Sequence, residues 1–160
     1  MKLKLLLLLL SVGSVNASEC TFTTEQDRVL KLASSYGEPF DYRKTLPAIV
    51  MQESFVGSYI VKINPKDGKY GSYGLTHILL STAMWLEGET NIWRAKSEIV
   101  DRLIKDDLYS FKLAVNKLNS VHKGDWMDTW GRYNGNSQVY DGEILSNIKL
   151  LESCGYFNWE

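Results

Sequence analysis

The chain has 160 residues, 44% of them hydrophobic and 12% aromatic, which suits one domain with a sizeable core. Its formal net charge of −1 argues against the basic footprint of a nucleic-acid-binding surface. No block of like charge, low-complexity run or internal repeat divides it.

The first element in chain order is "MKLKLLLLLLSVGSVNASEC". Lys2 and Lys4 precede an apolar run from Leu5, and Val15-Asn16-Ala17 fits the small-x-small pattern before a signal-cleavage point. The run is roughly 11 residues, short of the ~20 that a spanning helix needs. The expectation is a cleaved secretory signal over residues 1–17 and one domain over residues 18–160; the competing reading is an uncleaved anchor. Glu19 before Cys20 argues against a lipoprotein. Cleavage takes away two lysines and no acid, leaving 16 basic against 19 acidic side chains, a net of −3. Affinity for an anionic polymer would then rest on a shaped site.

Export permits disulfides. Cys20 and Cys154 would tie the two ends of the domain together if bonded, contributing about 4–5 kcal/mol in the chain-entropy model. Otherwise they are two unrelated free thiols. With only His77 and His122 besides, they make no zinc signature, so neither a metal nor a cofactor is expected.

A helix is expected from near Thr23, where Thr23-x-x-Gln26 is a capping-box pattern, with Gly37 suited to its stop. A second covers about residues 43–53, with Leu46, Ile49 and Val50 at helical spacing. Alternation at Tyr59, Val61 and Ile63, then Asn64-Pro65-Lys66-Asp67-Gly68, predicts a short hairpin or ordered loop. "LTHILLSTAMWLEG" reads as a short helix ending near Gly88. Val100, Ile104, Leu108, Phe111, Val115 and Leu118 predict one long amphipathic helix over about residues 97–121. "WMDTWGRYNGN" is a further helical piece, and Ile144, Leu145, Ile148 and Leu151 mark a last helix that delivers Cys154. The fold class is mainly α, with one small β element in a single domain.

The anomaly is Glu53. It lies three residues past Val50, where the apolar stripe asks for a hydrophobe. A carboxyl group held on such a stripe loses hydration, which disfavours its charged form. An acid that keeps its proton near neutrality can protonate a departing sugar oxygen. If the helix ends at Gln52 instead, Glu53 turns into solvent. Gly71 and Gly74 allow either close approach of backbone to a ligand or a plain turn. Trp85, Trp93, Trp126 and Trp130 read mostly as core, with sugar stacking the less favoured use.

Three segments in order, Glu53-Ser54, "GSYGLTHI" and "WGRYNGN", give a resemblance to the lytic transglycosylase and goose-type lysozyme superfamily. Its members carry a Glu-Ser pair at a helix end, then Gly-Leu-x-Gln-Ile/Met, then Ala-Tyr-Asn-Ala-Gly. The resemblance runs over about residues 46–151. It implies a lysozyme-like fold with the β element beside a sugar cleft. It also implies that Glu53 is the catalytic acid and that Ser54 orients either the acid's surroundings or the sugar substituents. Gly74, Leu75 and Thr76 would line the cleft with backbone. Tyr133 would reach toward Glu53 and the N-acetyl group, with Asn134 as its partner. His77 stands where the family has glutamine; it too offers a donor and an acceptor, and it titrates nearer neutrality. Arg132 replaces the small alanine before the tyrosine, and Asn136 replaces a proline or glycine.

No second acid is paired with Glu53 by these motifs, although Asp41 and Asp67 are candidates by distance along the chain. A single acid is compatible with help from the substrate's own N-acetyl group. The resemblance implies cleavage of peptidoglycan strands at the MurNAc–GlcNAc bond, leaving 1,6-anhydro ends, by an exported enzyme in the periplasm or beyond. Such enzymes serve secretion, pilus or conjugation machinery or act in phage lysis. The alternatives are a water-using muramidase of the same fold and a non-catalytic glycan-binding protein.

Overall fold

The computed structural model describes residues 20–63, 70–135 and 138–157. The expected signal segment, Asp67 with its turn, and Asn136 lie outside them. None of the helices among the described residues is long and apolar enough to cross a membrane. The fold is mainly α with one three-stranded antiparallel sheet.

Helix α1 (Thr24–Gly37) starts on the capping box: the Thr23 N–H donates to Gln26 Oε1 at 3.0 Å and the Gln26 N–H to Thr23 Oγ1 at 3.2 Å. Gly37 serves another purpose than a left-handed stop. A Cβ there would meet the Tyr42 carbonyl oxygen at 2.5 Å, because the chain doubles back over it. The reversal itself is made by a 3-10 turn (Glu38–Phe40) ending on Asp41 at φ 63°.

Helix α2 (Thr45–Ser54) is buried at every position from Thr45 to Val50. All-round burial marks a central helix, and α1 and two later helices, Asp107–Val121 and Gln138–Ser153, pack on it. Strands β1 (Val61–Lys62), β2 (Ser72–Tyr73) and β3 (Ile78–Leu79) follow, in the registers Val61↔Tyr73 and Tyr73↔Ile78. The segment 75–79 is therefore turn and strand, not helix: α3 begins only at Leu80 (Leu80–Glu87). Gly74 at φ 80° and His77 at φ 44° close the β2–β3 turn, a backbone requirement that outweighs the helical look of "LTHILL".

The expected long helix is also divided. Helix α4 (Ile92–Arg94) passes through a π turn (Ala95–Ile99) into α5 (Val100–Lys105). Asp106 is extended, at φ −122° and ψ 100°, and its carboxylate accepts from the Tyr109 N–H at 3.1 Å, capping α6 (Asp107–Val121). The break rotates the stripe, so Leu103 is buried and Leu108 is 49% exposed. Helices α7 (Trp126–Tyr133) and α8 (Gln138–Ser153) complete the chain. Cys20 and Cys154 are bonded, closing a separation of 134 residues.

Candidate functional site

Helix α2 ends abruptly. Phe55 and Val56, at φ 48° and 53°, are left-handed without being glycine, a costly conformation for an aromatic and a β-branched side chain. Ser54 holds this turn: its hydroxyl donates to the Val50 carbonyl at 3.0 Å and accepts from the Gly57 N–H at 2.9 Å. It is fully buried. Ser54 thus shapes the acid's surroundings and has no face toward a ligand.

The turn leaves Glu53 on the wall of a cleft of about 500 Å³. Its lining includes His77 from the β2–β3 turn, Lys62 from β1, Lys117 from α6, and Arg132, Tyr133 and Asn134 at the end of α7. The Glu53 side chain is 11% exposed: α2 runs on to Ser54 rather than ending at Gln52, so the residue is sheltered and the solvent-facing alternative does not hold. Among the described lining residues it is the sole carboxylate. Asp41 lines a separate groove beside Trp126 and Trp130.

Each Glu53 oxygen has its own neighbour. The Tyr140 hydroxyl donates to Oε1 at 2.8 Å, and His77 Nδ1 lies 3.5 Å from Oε2. The other imidazole nitrogen, Nε2, is 2.6 Å from the Tyr59 carbonyl. A carbonyl only accepts, so Nε2 carries a proton. In the neutral ring Nδ1 then presents a lone pair to Oε2, and it has no hydrogen-bond partner among the described residues although buried.

Tyr133 departs from its expected orientation. Its ring lines the cleft, but its hydroxyl donates to the Thr76 carbonyl at 2.9 Å. Tyr140, stacked parallel to it with ring centroids 6.3 Å apart, reaches Glu53 in its place. Burial pushes both phenols well above their ordinary ionisation range, and the charge of Glu53 adds to the shift. Both hydroxyls thus stay donors.

Gly74, Leu75 and Thr76 do not line the cleft. A Cβ on Gly74 would meet the Leu103 carbonyl oxygen at 2.6 Å and Ser110 Oγ at 2.8 Å, so its close approach is to α5 and α6 and not to a ligand. Leu75 is core, and the buried Thr76 hydroxyl bonds with Ser110. These three residues build the turn that presents His77. Trp85 and Trp93 are exposed, Trp126 partly so, and only Trp130 is buried, its Nε1 donating to Thr45 Oγ1 at 3.3 Å. This corrects the mostly-core expectation; none of the four lines the cleft.

Sequence reasoning missed Tyr140 and Lys117. Both were marked by spacing. Tyr140 stands four residues before the buried Ile144, on the inward stripe of α8. Lys117 stands four after Leu113 and three after Ala114, both fully buried. Its ammonium rests 4.2 Å from the centre of the Tyr133 ring. Burial draws its pKa down to about 8, against the opposing pull of Glu53. No family model, curated protein or solved structure matches this chain.

Proposed function

We propose that the protein is a peptidoglycan lytic transglycosylase that cleaves the MurNAc–GlcNAc β-1,4 bond with Glu53 as its one catalytic carboxyl group. The observation that carries this reading is the pairing of a sheltered, cleft-facing Glu53 with a hydroxyl donor on one oxygen and an orphaned imidazole nitrogen on the other. The three-segment resemblance names the chemistry.

Glycosidases with two carboxyl groups use the second as base or nucleophile. Here the substrate supplies that function. Glu53 gives its proton to the bridging oxygen as the C1–O bond breaks, and the N-acetyl carbonyl stabilises the positive C1. The Glu53 carboxylate then takes the proton from the C6 hydroxyl, whose oxygen closes on C1. One bond breaks, one forms, and no water is consumed. The Tyr140 O–H steadies the carboxylate between the two proton transfers.

The Cys20–Cys154 bond is compatible with export, and the reading places the enzyme in the periplasm or outside the cell. Its partner is the glycan strand, with a secretion, pilus or conjugation apparatus as the setting in which local opening of the wall is used. The test is digestion of purified cell walls followed by mass spectrometry. The protein is expected to release fragments lighter by one water than the hydrolytic products, and Glu53→Gln is expected to fold while losing roughly 10²–10⁴-fold in rate. Fragments of hydrolytic mass would make the protein a muramidase. Undiminished cleavage by Glu53→Gln, or none by the unaltered protein, would overturn the assignment.

A further inference from the structure

The cleft holds a charge that the proposed reaction does not use. Several lysines of the outer surface pair closely with acids: Lys31 with Asp27 at 2.7 Å, Lys44 with Glu152 at 2.6 Å and Lys112 with Glu87 at 2.8 Å. Lys117 is the more buried group, yet no carboxylate oxygen lies within 4.0 Å of its ammonium among the described residues. What it touches is the face of Tyr133. An aromatic face holds a cation in place without neutralising it.

We propose that Lys117 is a carboxylate-binding subsite of the cleft, which receives an acidic substituent carried by the glycan. This rests on the glycan-cleaving reading above and adds to it a preference among glycans.

Three observations carry it. The first is the missing contact partner: Lys117 feels the charge of Glu53 at a distance but makes no ion pair with it, and a ligand carboxylate against the ammonium would supply one. The second is the balance of charge around the cleft. Lys62, Lys117 and Arg132 line it against Glu53 alone among the described residues, although the whole chain carries −1. Arg132 is already paired with Asp128 at 2.6 Å and Lys62 sits on an exposed strand, which leaves Lys117 as the partly buried cation of the cleft without an ion pair among the described residues. The third is that burial lowers the pKa of Lys117, and an arriving anion reverses that shift. The ligand chemistry is a carboxylate on a sugar chain. Two sources supply it: the free lactyl group of peptide-stripped muramic acid, and the carboxylates of an attached peptide, where the lactyl group is an amide.

The experiment measures binding by titration calorimetry to the Glu53→Gln protein, which prevents turnover. Three oligosaccharides of equal length are compared: a neutral chito-oligosaccharide, a peptide-free GlcNAc–MurNAc oligomer, and the same oligomer bearing peptides. Adding Lys117→Met is expected to weaken at least one acidic ligand by about tenfold or more and to leave the neutral one unchanged. The ligand that suffers identifies the source of the carboxylate. Lys117→Arg is expected to keep the preference, and Lys117→Gln replaces Lys117→Met if the latter fails to fold. An equal loss for all three ligands, or no loss, would overturn the subsite while leaving the glycan reading in place. Failure of all three to bind the Lys117-containing protein would overturn both.

Discussion

At the scale of single residues, the cleft is built from groups that cost the fold something. Lys117 is the clearest case. Its folded pKa of about 8 lies below the ordinary 10.5, so below pH 8 the folded state holds a cation that the unfolded chain would solvate better. The penalty amounts to about 3 kcal/mol, and contact with the Tyr133 ring offsets part of it. As pH rises from 8 to 10.5 the folded state gives up this proton first, so the penalty is relieved across that window. Lys117→Met is accordingly expected to be more stable than the unaltered protein by about 1–3 kcal/mol at pH 7. The advantage should shrink to nothing by about pH 10.5, as read from urea melts of the two proteins at matched pH. Glu53 was legible in the sequence for the same reason that Lys117 should have been: each is a charged residue at apolar helical spacing. The orientation of Tyr133 was not legible. Which of two stacked tyrosines reaches Glu53 depends on the docking of α7 against α8, contacts that no local pattern encodes.

At the scale of elements, local chemistry was readable where it was self-contained. The Thr23/Gln26 capping box predicts the start of α1 and needs no other part of the chain. The β2–β3 turn is the opposite case. Two-residue strands leave almost no periodicity, and Leu75, Ile78, Leu79 and Leu80 look helical when read alone. The turn exists because Gly74 lets the backbone press against α5 and α6, with the Leu103 carbonyl and Ser110 where a side chain would be. Gly74→Ala is therefore expected to lower stability by about 2–4 kcal/mol, combining overlap with a left-handed backbone. Gly88→Ala, also at positive φ but with nothing within 4 Å, should cost only about 1–2 kcal/mol. Thermal melts of the two variants give the comparison; equal losses would show that close approach at Gly74 does not matter. The break at Asp106 was hidden in the same way, since an aspartate between two helical stripes reads as surface until its carboxylate is seen capping Tyr109.

At the scale of the whole molecule, mainly α class and single-domain organisation followed from composition and from the number of amphipathic stripes. The pairing of Cys20 with Cys154 was one of two readings, and the packing of the first turn against the end of α8 selects it. A closed loop of this length contributes about 4–5 kcal/mol by restricting the unfolded chain. Replacing both cysteines by serine is expected to remove about 3–5 kcal/mol, measured by denaturant unfolding under non-reducing conditions.

That clasp also makes the backbone topologically redundant. A protease that nicks any one peptide bond between Cys20 and Cys154 leaves both fragments tethered through sulfur. A once-clipped molecule would migrate as a single species until a reductant parts it, and it could retain its shape in surroundings rich in hydrolases.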